Sequence, residues 1–197
     1  RSRLIFDNSK IKKYFGFKQK ISLATQLRKV YQRKNIFIDF DGTLIDITNR
    51  WYQLHVDLSK KFDFKPLSRI VYTRLKRKGI PENSILSKTN IARDDVSNYV
   101  NQRNNLIESK KYLDKDKIKS GVPALLHALS KHTTIVLITK RKNKKNFFEE
   151  VKRLQLHAYF SKMLVADMLS KEDTIRRHYK KEEYTNALYI GDTEADY

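Results

Sequence analysis

Asn35-Ile36-Phe37-Ile38-Asp39-Phe40-Asp41-Gly42-Thr43 is the stretch that decides how this chain folds. An apolar run of strand length stops abruptly at Asp41-Gly42-Thr43, which predicts a buried strand delivering carboxylates at its C-terminal end. Two acids beside an apolar strand repel each other and cost stability unless a cation lies between them. Asp39 and Asp41 therefore read as functional residues. Asp46, a lone acid a little further on, reads as a turn former or helix cap.

Beyond this strand the pattern turns helical from Thr48 to about Ser120. Trp51, Leu54, His55 and Leu58 share one face, and Leu67, Ile70, Val71 and Leu75 share another, with breaks at Pro66 and at Gly79-Ile80-Pro81. A third helix is expected from about Ile91 to Glu108 through Val96, Val100 and Ile107. About seventy residues of helix without a strand signal predict a cap inserted after the first strand. Strand and helix then alternate. Gly121-Val122-Pro123 opens a helix, and Thr134-Ile135-Val136-Leu137-Ile138-Thr139 is a second buried strand. A helix follows over 145–156, a weaker strand over 163–165 and a helix over 172–179. Ala187-Leu188-Tyr189-Ile190 is a further strand, ending at Gly191-Asp192. That alternation predicts an α/β fold around a parallel sheet, with ligands bound at the strand C-termini.

With 40% hydrophobic residues in 197, the chain can bury one sizeable core and a small appended unit. It has no cysteine, which excludes disulfides and thiolate metal sites. No apolar run approaches the ~20 residues of a membrane span, and no secretory signal is visible, so a cytoplasmic protein without a membrane partner is expected. The net charge of +20 raises the question of nucleic acid. Residues 1–34 alone carry 11 Lys/Arg against one acid, Asp7. No nucleic-acid motif accompanies that charge, so a solvated basic surface is the preferred reading. His55, His127, His132, His157 and His178 show neither metal spacing nor a partnered nucleophile, and read as structural.

Four signals now fall in one order along residues 35–197. Asp39-Phe40-Asp41-Gly42-Thr43 resembles motif one of the haloacid dehalogenase superfamily. Thr139 stands where motif two places its hydroxyl, Lys171 where motif three places its lysine, and Gly191-Asp192-Thr193-Glu194-Ala195-Asp196 resembles the acidic motif four. Lys140 and Lys162 are nearby alternatives to Lys171, which is preferred because it begins the helix leading to the Ala187 strand.

The resemblance implies a Rossmann-like core over 35–47 and 118–197, a helical cap over 48–117, and phosphohydrolase chemistry. Asp39 is the implied nucleophile, forming an aspartyl-phosphate. Asp41 is the implied general acid and base, a role that calls for a raised carboxyl pKa. Thr139 and Lys171 are to hold the phosphate oxygens, and Gly42 and Thr43 to shape the phosphate loop. A carboxylate attacking an anionic ester needs a cation between them, and hard oxygen donors suit Mg2+. Asp39, Asp192, Asp196 and the backbone carbonyl of Asp41 form the implied metal set.

A cap between motifs one and two points to a small phosphorylated metabolite as substrate. The second aspartate separates this pattern from the dehalogenases. A phosphomutase, or a non-catalytic basic binding module on the same scaffold, are the alternatives. The run Lys140-Arg141-Lys142-Asn143-Lys144-Lys145 reads equally as an anion-steering patch or as solvated surface. Ile5-Phe6-Asp7 through Lys20-Ile21-Ser22-Leu23, leading into a helix over 21–31, resembles the C-terminal tail of NAD-dependent sugar-nucleotide epimerases and dehydratases. That likeness makes a sugar phosphate the leading substrate class. The absent initial Met and the stop at Tyr197 within motif four predict a fragment lacking the last strand and helix of the sheet.

Overall fold

The computed structural model describes residues 33–192. β1 (Asn35–Asp39) is buried along its whole length, because it has strands on both edges and packed layers on both faces. β4 (Thr134–Thr139) pairs with it in parallel from Asn35↔Thr134 to Asp39↔Ile138. β6 (Leu188–Ile190) pairs along the other edge from Ile36↔Leu188, and β5 (Lys162–Val165) lies beyond β4. The order β5-β4-β1-β6 is parallel throughout, as the alternating pattern predicts.

Successive side chains of β1 and β4 point to opposite faces, and two apolar clusters record it. Ile36, Ile38, Ile135 and Leu137 pack with Leu126 and Leu129 of α6 (Val122–Ser130) and with Phe147 and Val151 of α7 (Lys144–Arg153). Phe37, Val136 and Ile138 pack on the other side with Ile175 of α8 (Lys171–His178) and with Tyr184 of α9 (Lys181–Tyr184). Each fully buried Ile or Leu contributes about 1.5–3 kcal/mol, so the strand that carries Asp39 is held from both sides.

Between β1 and α6 the chain leaves the sheet layer and returns through two short strands. β2 (Ile45–Asp46) and β3 (Lys117–Ile118) pair antiparallel at its base; strands this short leave no alternating pattern, and sequence reading missed both. The excursion holds α1 (Thr48–Lys61), α2 (Arg69–Arg77), α3 (Glu82–Leu86), α4 (Asp95–Leu106) and α5 (Lys110–Leu113). It has its own core of Leu54, Leu58, Phe64, Leu86, Tyr99 and Tyr112.

Two local expectations need correction. The inward side of α2 is not the Ile70-Val71 face, since Ile70 is 73% exposed and Tyr72 fully buried. Tyr72 stacks on His55 with ring centroids 4.2 Å apart and donates its hydroxyl to Glu82 at 2.8 Å, a polar anchorage that hydrophobic spacing does not register. The helix expected from Ile91 begins at Asp95.

No described helix is long and apolar enough to cross a membrane. The basic N-terminal segment up to Gln32, with its expected helix and its epimerase-like stretch, and the terminal residues from Thr193 onward lie outside the described residues.

Candidate active site

Asp39 is the last residue of β1 and only 4% exposed. The chain then turns back on itself: the Gly42 amide donates to the Ile45 carbonyl at 3.1 Å and the Leu44 amide to the Phe40 carbonyl at 3.0 Å. Gly42 holds this turn at φ +80°, where a side chain is strained. It also leaves room for a neighbour. A Cβ there would lie 2.1 Å from Oδ2 of Asp192, so only glycine lets the loop and that carboxylate approach so closely.

Thr43 ties the two ends of the chain together. Its hydroxyl lies 3.3 Å from Oδ2 of Asp39 and 3.3 Å from Oδ1 of Asp192. Two carboxylates 153 positions apart in sequence thus flank one hydroxyl, at the C-terminal ends of β1 and β6. Asp196, the other acid expected here, lies outside the described residues. Among the described residues, no group of three or more acidic or histidine side chains forms a metal cage. Mg2+ does not require one: it is held by one or two carboxylates together with waters and substrate phosphate. The Asp39–Asp192 pair fits that donor set.

Lys171 opens α8, whose N-terminus is capped by Ser170 accepting from the Asp173 amide. Its ammonium, with the side chain 9% exposed, donates to Oδ1 of Asp39 at 2.5 Å. The alternatives lie elsewhere: Lys162 sits over the Tyr179 ring at 5.4 Å, and Lys140 is exposed at the rim of the cavity. Thr139, at the end of β4, is buried and accepts from the Arg141 amide at 3.3 Å. Asp39, Asp41, Thr139, Lys171 and Asp192 line one cavity of about 320 Å³, so all of the expected side chains on it that lie within the described residues converge, with Gly42 and Thr43 in the adjoining loop. Trp51 and Ile107 form its apolar wall. Glu108 also lines it and closes the inserted helices onto the sheet layer, accepting from the amides of Lys142 at 3.1 Å and Asn143 at 2.7 Å.

Asp41 departs from expectation. Arg141 grips it in two places, Nε to Oδ2 at 2.6 Å and Nη2 to Oδ1 at 2.8 Å, and Arg50 adds Nη2 to Oδ1 at 2.6 Å. Burial pushes the carboxyl up, but the charges and hydrogen bonds of Arg50 and Arg141 overcome it and hold the group well below the usual carboxylate range. A raised pKa was expected; the direction is the opposite. Arg141 is correspondingly not part of a steering patch or a solvated surface, since its side chain is 3% exposed. Sequence reading missed Arg50, Arg141, Asp116 and Glu150 as members of the site. The only signal was register: Arg50 stands one turn before Leu54 and Glu150 between Phe147 and Val151, charges at positions where a helix faces its core.

A family model described as haloacid dehalogenase-like hydrolase matches residues 36–197. The fold is similar to that of a haloacid dehalogenase-like family hydrolase from Streptococcus pneumoniae, with TM-score 0.66 and 20% identity over 83% of this chain and 78% of that one. A predicted phosphatase from Clostridium acetobutylicum aligns with TM-score 0.60 and 20% identity over 83% and 78% of the two chains. A hydrolase of the same superfamily, subfamily IA, variant 1, from Geobacter sulfurreducens gives 0.60 and 17% over 83% and 80%. At these identities the likeness is one of fold. Comparison with curated proteins found no significant match.

Proposed function

This chain belongs to the haloacid dehalogenase-like hydrolases, and from that premise we propose that it is a Mg2+-dependent phosphohydrolase acting on a small phosphate monoester of the cytoplasm, with a sugar phosphate the first candidate. Residues 35–47 and 118–197 are its catalytic unit and 48–117 its cap. The observation that carries this reading is the convergence of Asp39, Asp192 and Lys171. Thr43 lies within 3.3 Å of both carboxylates, while Lys171 binds the remaining oxygen of Asp39.

Asp39 and Asp192 would hold the metal, with Asp196 and the Asp41 carbonyl completing the set. When bound, the ion screens the repulsion between nucleophile and phosphate and polarises the phosphoryl oxygens. Lys171 and the Thr139 hydroxyl hold the non-bridging oxygens of the transferring group, and Lys171 exchanges its contact with Asp39 for the phosphate as it enters. An Asp39 carboxylate oxygen attacks phosphorus, a P–O bond forms, and the ester P–O bond breaks. A proton from Asp41 goes to the departing alcohol oxygen. Asp41, now anionic, takes a proton from the water that attacks the phosphorus of the Asp39 acyl phosphate, releasing inorganic phosphate and restoring both groups. The arginine-held anion suits the second half as it stands. The acid half requires the Arg50 and Arg141 contacts to loosen when the substrate arrives and Asp41 to take up a proton from solvent before it gives one to the leaving oxygen. Trp51, Ile107 and Glu108 line the same cavity beside the reacting groups.

The test is release of inorganic phosphate from an aryl phosphate, with and without Mg2+, by this protein and by its Asp39→Asn variant. Metal-dependent release by the parent and none by the variant is expected. Equal rates would favour the binding-module reading. Interconversion of sugar phosphates without net phosphate release would make the protein a phosphomutase.

A further inference from the structure

A second cavity, of about 310 Å³, shares a wall with the catalytic one: Ile47, Trp51 and Asp192 line both. Three cations also line it. Lys76 and Arg77 come from the last turn of α2, and Lys119 follows directly on β3, where the chain returns to the sheet layer. Lys119 is fixed beside the phosphate loop, since its amide donates to the Leu44 carbonyl at 3.0 Å and its ammonium to the Gly42 carbonyl. The second cavity therefore begins where the proposed chemistry ends.

Two acids, Asp46 and Asp192, line the same space, and each has another task. Oδ1 of Asp46 accepts from the amide and the hydroxyl of Thr48 at 2.9 and 2.7 Å, and Asp192 belongs to the proposed metal set. Lys76 is paired with Glu82 at 3.0 Å and lies 5.8 Å from the centroid of the Trp51 ring. Among the described residues, Arg77 and Lys119 have no carboxylate within ion-pair distance. Their field is nevertheless felt there. Burial pushes the Asp46 carboxyl up, but the Thr48 hydrogen bonds, followed by the charges of Arg77 and Lys119, bring it below its ordinary value. Two cations thus act on one small volume, and an incoming anion meets both without displacing a partner from Arg77.

We propose that this cavity is a second anion subsite, and that the substrate is a phosphate monoester whose alcohol part carries another phosphate or a carboxylate. This deepens the phosphohydrolase reading and rests on it. The transferring phosphate lies at Asp39 and Lys171, the carbon skeleton crosses the shared wall at Trp51, and the distal anion meets Arg77 and Lys119. An aromatic wall with a few charged groups beyond it is the usual make-up of a site that holds a small polar ligand in one orientation. Arg77 supplies a planar fork that fits either phosphate or carboxylate, and Lys119 a point charge. Neither residue touches the reacting atoms. The subsite therefore governs which ester is held and how tightly, while the rate of P–O cleavage in the bound ester is set elsewhere.

Glucose phosphate, phosphogluconate and glucose bisphosphate test this, because they differ in the distal group. At low ionic strength the parent should show kcat/KM about tenfold or more higher for the doubly anionic esters, mainly through KM, and added salt should shrink the preference. A gain confined to one of them identifies the distal group as phosphate or as carboxylate. Arg77 is exposed, so Arg77→Gln leaves the fold intact; it should lose most of the preference and keep the parental rate on glucose phosphate, while Arg77→Lys keeps part of the preference. Lys131→Gln removes the same charge between α6 and the start of β4, at the other end of the sheet, and should change nothing. Calorimetric titration of the Asp39→Asn protein with glucose bisphosphate and with glucose phosphate reads the subsite without turnover. Tighter binding of the bisphosphate is expected, and its loss when Arg77→Gln is added. A parent that releases phosphate from none of the esters overturns the proposed function, and the titration still decides the subsite. Equal efficiency and equal affinity for all three esters, a preference that survives Arg77→Gln, or one that Lys131→Gln reduces as much, overturns the subsite.

Discussion

Gly42→Ala probes the closest approach in the site. The added Cβ would meet Oδ2, Cγ and Oδ1 of Asp192 at 2.1, 2.7 and 3.0 Å. An ordinary contact begins at 3.4 Å, so the carboxylate must retreat by more than about 1 Å, and an error of ~1 Å in a catalytic group costs on the order of 100-fold in rate. The backbone penalty is separate and small. Alanine at φ +80° costs about 1–2 kcal/mol, which lowers Tm by roughly 2–8 °C in a domain of this size and leaves the chain folded. The two effects are read in one preparation: thermal denaturation by circular dichroism, and phosphate release at saturating Mg2+. A folded protein with a modest Tm loss and kcat down by about two orders of magnitude is expected. If Gly42→Ala kept the parental kcat, Asp192 would not belong to the working site and the account of motif four would be wrong.

Two further predictions concern the inserted helices and their entry. The Nε2 of His55 accepts from the Leu67 amide at 3.2 Å, so Nδ1 carries the hydrogen and donates to Tyr99 at 2.8 Å. Burial lowers its pKa to about 4, with Glu82 opposing and Arg103 assisting. The unfolded chain gains a proton near pH 6.5 that the folded one refuses until about 4. Stability is therefore full above pH 6.5 and falls by about 3 kcal/mol as pH drops to 4. Urea denaturation of the parent and of His55→Phe across this range checks it: a slope of the same size in both would show that His55 is not its source. At the start of α1, Oδ1 of Asp46 accepts from the Thr48 amide at 2.9 Å and from its hydroxyl at 2.7 Å. Asp46→Ala should cost about 1 kcal/mol by thermal melting without changing the rate of phosphate release per folded molecule; a selective loss of activity would mean that Asp46 acts in the reaction.

What the linear chain determines by itself is whatever is local or repeats at short range. An apolar run ending in Asp-x-Asp-Gly-Thr announces a buried strand and a tight turn, because burial and glycine's conformational freedom act within a few residues. The alternation of strands and helices gives the parallel sheet for the same reason, and Lys171 is legible as the start of the helix leading to the Ala187 strand. Asp46 next to Thr48 is legible as a helix-entry turn. The misread face of α2 shows the limit: Tyr72 is buried through a ring stacked on His55 and a hydroxyl bonded to Glu82, and apolar spacing contains neither fact. Tertiary structure alone decided the state of Asp41. Arg141 is 100 positions away in sequence and reaches it only because β4 lies beside β1, and Arg50 reaches it from the first turn of α1. Electrostatic energy depends on distance in space and on exclusion of water. A carboxylate held down by two buried guanidiniums is therefore set by the fold and not by its neighbours in sequence.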